Sequence, residues 1–156
     1  MNKVNRAQFF SIDLLFASLI FLTIIISTAF LWEYVVEKNY LSDKEMDLTI
    51  LARDISSKLL ISNDDASLVI EPWVLDQQKI DNFYNLNYNV SKQKLGLLGP
   101  GYNYNIAINR WTGSNYTHYY SLGSSREDSE FIVVSERFAV LNNEWMKVTL
   151  TLWNDE

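Results

Sequence analysis

The sequence predicts an α+β fold, in which a long N-terminal transmembrane helix packs by its outer half on a C-terminal antiparallel β-sheet. Three observations carry that expectation. Residues 14–32 hold no formal charge over 19 positions, about 28 Å of helix and close to the thickness of a bilayer's hydrocarbon. Beyond them, Leu41, Leu48, Ala52, Ile55 and Leu59 recur at helical spacing. From residue 102 onward, apolar and polar side chains alternate with the period of strands.

Residues 1–8 form a short basic leader containing Lys3 and Arg6, and residues 9–34 form the transmembrane helix. Ser18, Thr23, Ser27 and Thr28 are tolerated in it because a hydroxyl can bond back to the preceding turn. Trp32 and Tyr34 lie at its far end, where amphipathic rings favour the membrane interface. Basic residues before the span, with Glu33 and Glu37 after it, place residues 1–8 in the cytoplasm and residues 33–156 outside. A cleaved secretory signal is the rival reading. Its apolar region runs to about 7–15 residues before a small-residue cleavage site. This run is longer and ends in Phe30, Leu31, Trp32 and Glu33. The lipid bilayer is therefore the first expected partner.

Residues 35–62 read as an amphipathic continuation of the helix, with a kink or break expected at residues 39–43. Ser62, Asn63, Asp64 and Asp65 favour a stop, because their side chains compete for backbone hydrogen bonds. Residues 63–101 read as an irregular connection: Pro72 marks a turn, and residues 95–101 form a loop with three glycines and a proline. Residues 102–156 read as a four-stranded antiparallel meander. Its first strand turns Tyr102, Tyr104, Ile106 and Ile108 inward, and residues 112–115 (Thr-Gly-Ser-Asn) form the turn to a second strand at 117–122. The third strand, residues 130–141, is expected to bury Ile132, Val134, Phe138 and Val140, with Glu136 interrupting that face. Asn142-Asn143 makes a hairpin to the fourth strand, which buries Met146, Val148, Leu150 and Leu152.

Composition excludes several functions. Net charge is −6, and beyond residue 32 the 11 basic residues face 18 acidic ones, a balance of −7. That balance argues against nucleic acid and against docking on anionic lipid, both of which need clustered Lys and Arg. The absence of cysteine excludes disulfides, thiolate catalysis and zinc–thiolate sites. The single histidine, His118, sits among Tyr116, Tyr119 and Tyr120 and reads as a strand residue. Asp64-Asp65 lacks the spaced ligands of a calcium loop and reads as a solvated turn. No gathered acid–base, nucleophile or phosphate-cradling set emerges, so no enzyme, cofactor or metal is expected. Nine tyrosines and five tryptophans suit either a binding face or sheet packing, with packing preferred. Two N-x-S/T motifs, Asn89-Val90-Ser91 and Asn115-Tyr116-Thr117, make Asn89 and Asn115 candidate glycosylation sites.

The apolar stretch begins at Phe9, which leaves Asp13 one turn inside it. A carboxylate deep in a membrane helix costs roughly 2.5–3.5 kcal/mol, less near the interface. Asp13 either rests at headgroup level against the positive helix N-terminus or awaits a cationic partner. The run Arg6-Ala7-Gln8-Phe9-Phe10-Ser11-Ile12-Asp13-Leu14-Leu15 resembles the processing region of type IV pilin-like proteins, especially archaeal ones. That resemblance implies that a prepilin peptidase removes the leader just before the apolar helix. A cut between Gln8 and Phe9 makes Asp13 the acidic fifth residue of the family pattern, with Asp in place of Glu and Gln8 in place of a small residue. A cut between Ala7 and Gln8 restores the small residue but moves the acid to the sixth position. The resemblance further implies that the Asp13 carboxylate meets the new amine of a neighbouring subunit. The expected function is then a major or minor structural subunit of a pilus-like filament, assembled from copies of itself or related subunits. The alternative is a permanently anchored single-pass protein that displays a binding ectodomain.

Overall fold

The structure, a computed structural model, describes residues 4–62, 64–99, 101–125 and 131–155, with side chains from residue 12 onward. The chain forms two compact units, Met1–Asp43 and Lys44–Glu156. Helix α1 (Val4–Leu60) contributes to both. It begins inside the expected leader and runs unbroken through residues 39–43, where a kink or break was expected. None of those five residues is Pro or Gly, and the propensity cost of Asn, Tyr, Ser and Asp is about 0.7 kcal/mol or less per residue. What changes at Asp43 is the packing environment, because one compact unit ends there and the other begins.

In the first unit, apolar side chains from Ile12 to Val36 are exposed, and they follow one another too closely to share a single stripe. Ser18, Thr23 and Thr28 each donate to the carbonyl three or four residues back, at 2.8 Å. No hydroxyl hydrogen is therefore left unmatched at those positions.

In the second unit, Leu48, Ala52, Ile55 and Leu59 of the predicted stripe are buried to 2% exposure or less, whereas Leu41, the stripe's first residue, lies in the first unit and is only partly buried. The four buried residues share one core with Tyr104, Ile106 and Ile108 and with Met146, Val148, Leu150 and Leu152. The sequence read as an irregular connection is largely ordered. It holds strands β1 (Val69–Glu71) and β2 (Val74–Leu75) and helices α2 (Gln77–Tyr84) and α3 (Tyr88–Leu95). These pieces were too short to show a period. The ribbon also satisfies helix-end carbonyls left over from α1: Leu68 N–H donates to the Leu59 carbonyl, and Trp73 N–H to that of Leu60, both at 2.9 Å. The Asp76 carboxylate caps α2 by accepting from the N–H groups of Gln78 and Lys79. Gly96, at φ 84°, ends α3, with Leu97 N–H reaching back to the Lys92 carbonyl at 3.0 Å.

The remaining strands are β3 (Tyr102–Trp111), β4 (Tyr116–Gly123), β5 (Phe131–Leu141) and β6 (Glu144–Asn154). They join β1 and β2 in a six-stranded sheet of order β1-β2-β5-β6-β3-β4. The expected four-stranded meander is corrected in three respects. The sheet has two more strands, β2 lies parallel to β5, and β6 sits between β5 and β3. Strand β6 has an apolar inner face and also buries Trp153, which suits a central position.

The inward face of β5 is corrected as well. Val134 and Phe138 are more than half exposed, while Val133, Ala139 and Leu141 point to the core side. The hairpin register decides this. Asn142 and Asn143 both adopt positive φ (52° and 66°), the signature of a two-residue turn of type I′. That turn pairs Leu141 with Glu144 and Ala139 with Met146, so the odd-numbered residues of β5 share the face of Met146 and Val148. Glu136 then points outward and meets Lys147 at 2.9 Å.

Candidate functional site

The residues with the clearest functional placement belong to α1. Asp13 lies on it, exposed, immediately before the uncharged run that ends at Trp32. Glu33 and Glu37 are exposed beyond that run. Within the described residues, α1 is long and apolar enough to cross a membrane. Leu14 (70% exposed) and Trp32 (72%) mark the two ends of this exposed, uncharged stretch. The side chains of Ala7, Gln8 and Phe9 lie outside the described residues, although their backbone belongs to α1.

The Lys44–Glu156 unit carries a second feature, a tyrosine-lined cleft between α2–α3 and the β3–β4 hairpin. Its volume is about 230 Å³, and Phe83, Tyr84, Tyr88, Ser91, Tyr104 and Leu122 are among its walls. Tyr88 stacks on Tyr104 with ring centres 5.3 Å apart. The Tyr104 hydroxyl donates to Ser91 Oγ at 2.5 Å, and Ser91 Oγ donates to the Tyr88 carbonyl at 2.9 Å. Burial pushes the Tyr104 phenol above its ordinary value. Beside the cleft, Tyr120 donates to Asp81 Oδ1 at 2.6 Å, and Tyr119 donates to Gln77 Oε1 at 3.0 Å. The hydrogen bond to the Asp81 carboxylate raises the Tyr120 phenol too. These hydroxyls are engaged with protein groups, so the network reads as a polar clasp between helix α2 and the sheet. The expectation of packing holds for Tyr104, while Trp32, Trp73, Trp111 and Trp145 are exposed.

The outer face of the sheet differs. Trp111 and Tyr116 pair across β3 and β4, with ring centres 4.9 Å apart, and Lys147 Nζ lies 4.9 Å from the Tyr116 ring. Phe138 (54% exposed) and Trp145 (62%) lie on the same outer face of β5 and β6. The sequence reading missed this exposed aromatic group because it placed Phe138 inside. The two-residue Asn-Asn turn was the signal that could have exposed it.

The other candidates fall as follows. His118 is exposed on β4, opposite Asn109. Asp64 and Asp65 occupy an exposed turn in which Asp64 faces Lys58 at 3.5 Å. Asn115 ends the turn of the β3–β4 hairpin, and Asn89 lies in the first turn of α3. Asn89 and Asn115 belong to the Lys44–Glu156 unit and Asp13 to the Met1–Asp43 unit. In comparison with known proteins, the chain matches no family model, no curated protein and no solved structure.

Proposed function

We propose that this chain is a pilin-like structural subunit of an extracytoplasmic filament, anchored in the membrane before assembly. The observation that carries the reading is the exposure of Leu, Ile and Phe side chains on every side of α1 between Ile12 and Val36. Each such side chain gains roughly 1.5–3 kcal/mol when removed from water. An amphipathic stripe could be satisfied by one neighbour, but apolar side chains on all faces need an all-round apolar solvent. The bilayer supplies it before assembly, and adjacent helices supply it inside a filament core.

Asp13 supports the same reading. A carboxylate at the edge of this segment is costly in lipid and useful where a cation will meet it. The amine exposed by a prepilin peptidase at Gln8 or Phe9 of a neighbouring copy has that charge. The ectodomain then stays outside the cytoplasm on the filament surface.

Asp13→Asn tests the pairing. The variant should still insert, while filament formation falls to background. Normal assembly by Asp13→Asn refutes the role given to the carboxylate. Mass measurement of the mature N-terminus tests processing, with a start at Gln8 or Phe9 expected. The exposed aromatics Trp111, Tyr116, Phe138 and Trp145 favour a second reading, a permanently anchored protein that displays a binding face. An intact leader at residues 1–8 on the mature protein selects that reading over the filament.

A further inference from the structure

We propose that Asn115, and not Asn89, is the asparagine that accepts an N-linked glycan on the folded chain. The proposal rests on the reading that residues 33–156 face away from the cytoplasm.

Both motifs share the same chemistry. The Asn side-chain nitrogen attacks the anomeric carbon of a lipid-linked glycosyl phosphate. A C–N bond forms, the C–O bond to phosphate breaks, and the lipid phosphate leaves with the electron pair. The amide proton passes to a base on the transferase. The third-position hydroxyl is the feature a transferase reads alongside the Asn. Both groups must therefore be reachable together.

At Asn115 they are. Asn115, Tyr116 and Thr117 are all exposed at the tip of the β3–β4 hairpin. The turn is held by the Asn115 carbonyl, which accepts from both the N–H and the hydroxyl of Thr112 at 2.9 Å. The Thr117 hydroxyl makes only a 3.5 Å contact with the Arg110 carbonyl, at the outer limit of a hydrogen bond. It is therefore exposed and only weakly held.

At Asn89 they are not. Asn89 is exposed, but Ser91 is only 3% exposed. Its hydroxyl donates to the Tyr88 carbonyl and accepts from the buried Tyr104 hydroxyl. Releasing it means lifting α3 off the core, which separates the Tyr88–Tyr104 stack and exposes Leu95. The motif at 89–91 is thus a piece of core architecture that happens to spell a sequon. A glycan at Asn115 would also sit at the end of the sheet that exposes Trp111 and Tyr116. A bulky, soluble group there shields an apolar patch.

The test uses the full chain in detergent micelles with a purified oligosaccharyltransferase and its lipid-linked oligosaccharide. Two synthetic peptides, spanning residues 84–96 and 110–120, serve as unfolded references. Site occupancy is read by mass spectrometry. Both peptides should be modified. In the folded chain, Asn115 should keep its peptide's rate, while Asn89 falls by roughly 100-fold or more, because the core must open first. Modification of folded Asn89 as fast as Asn115 overturns the proposal. So does a blocked Asn115, or a 110–120 peptide that stays bare. Purified components make this outcome independent of topology. A chain that passes this test, yet stays bare at Asn115 in cells that glycosylate exported proteins, refutes the outward placement instead.

Discussion

Replacing Ile55 by Ala probes the division of α1 into a packed part and an unpacked part. Ile55 is 1% exposed and sits in the core shared with β3 and β6. Deleting its outer carbons loses about 0.8 kcal/mol per methylene, and the remaining cavity raises the total to roughly 3–4 kcal/mol. At about 4 °C per kcal/mol for a domain of this size, the melting temperature should fall by roughly 12–16 °C. Ile25→Ala is the same chemical change on the same helix, at a residue that is 48% exposed. Ile25 belongs to the Met1–Asp43 unit, so its effect on melting of the Lys44–Glu156 unit should stay within about 0.5 kcal/mol. The assay is thermal unfolding of the full chain in detergent micelles, followed by near-ultraviolet circular dichroism. That signal reports the fixed environment of buried aromatics such as Trp153 and Tyr104. Equal shifts from both variants, or no shift from Ile55→Ala, would refute the packing of the outer helix on the sheet.

Three further outcomes follow from the Lys44–Glu156 unit. Gly123→Ala should cost roughly 2 kcal/mol or more in denaturant melts, because φ is +109° and a Cβ would stand 2.3 Å from the Tyr104 carbonyl oxygen. Gly113→Ala, at φ +89° in open space, should cost distinctly less. Asp76→Ala should lose about 1 kcal/mol by uncapping α2, and Asp76→Ser should recover most of it in the same melts. Alkaline pH should destabilise the domain. Burial at Tyr104 and the Asp81 hydrogen bond at Tyr120 raise both phenols above the ordinary 10.0. A raised folded-state pKa favours the neutral phenol, so this stability is complete below pH 10 and is lost as pH climbs through the folded values. Absorbance of tyrosinate during an alkaline titration should show a late-ionising fraction, which Asp81→Asn reduces. An unchanged titration curve would refute the Tyr120–Asp81 link.

Much of the fold is legible in the residues. The uncharged run 14–32, the stripe at Leu48, Ala52, Ile55 and Leu59, and the alternation in β3 and β6 each repeat over enough positions to define a period. The candidate sites are legible only as types. Asp13 and both sequons can be named from the sequence, but which sequon has an accessible hydroxyl depends on the surroundings of Ser91 and Thr117. Residues 63–101 resisted reading because β1, β2, α2 and α3 are each eight residues or fewer. Caps and contacts stabilise such pieces more than periodicity does.

The sequence by itself determined the apolar rod and the order of helix before strands. These follow from local composition, since a side chain's preference for lipid, helix or strand acts over a few neighbours. Only the tertiary structure decided which face of β5 turns inward, that β6 lies between β5 and β3, and that β2 joins the sheet in parallel. Those choices rest on pairing between distant segments. A one-residue change of register would turn Val134 and Phe138 into the core and Val133 and Ala139 out of it, while leaving every local propensity untouched.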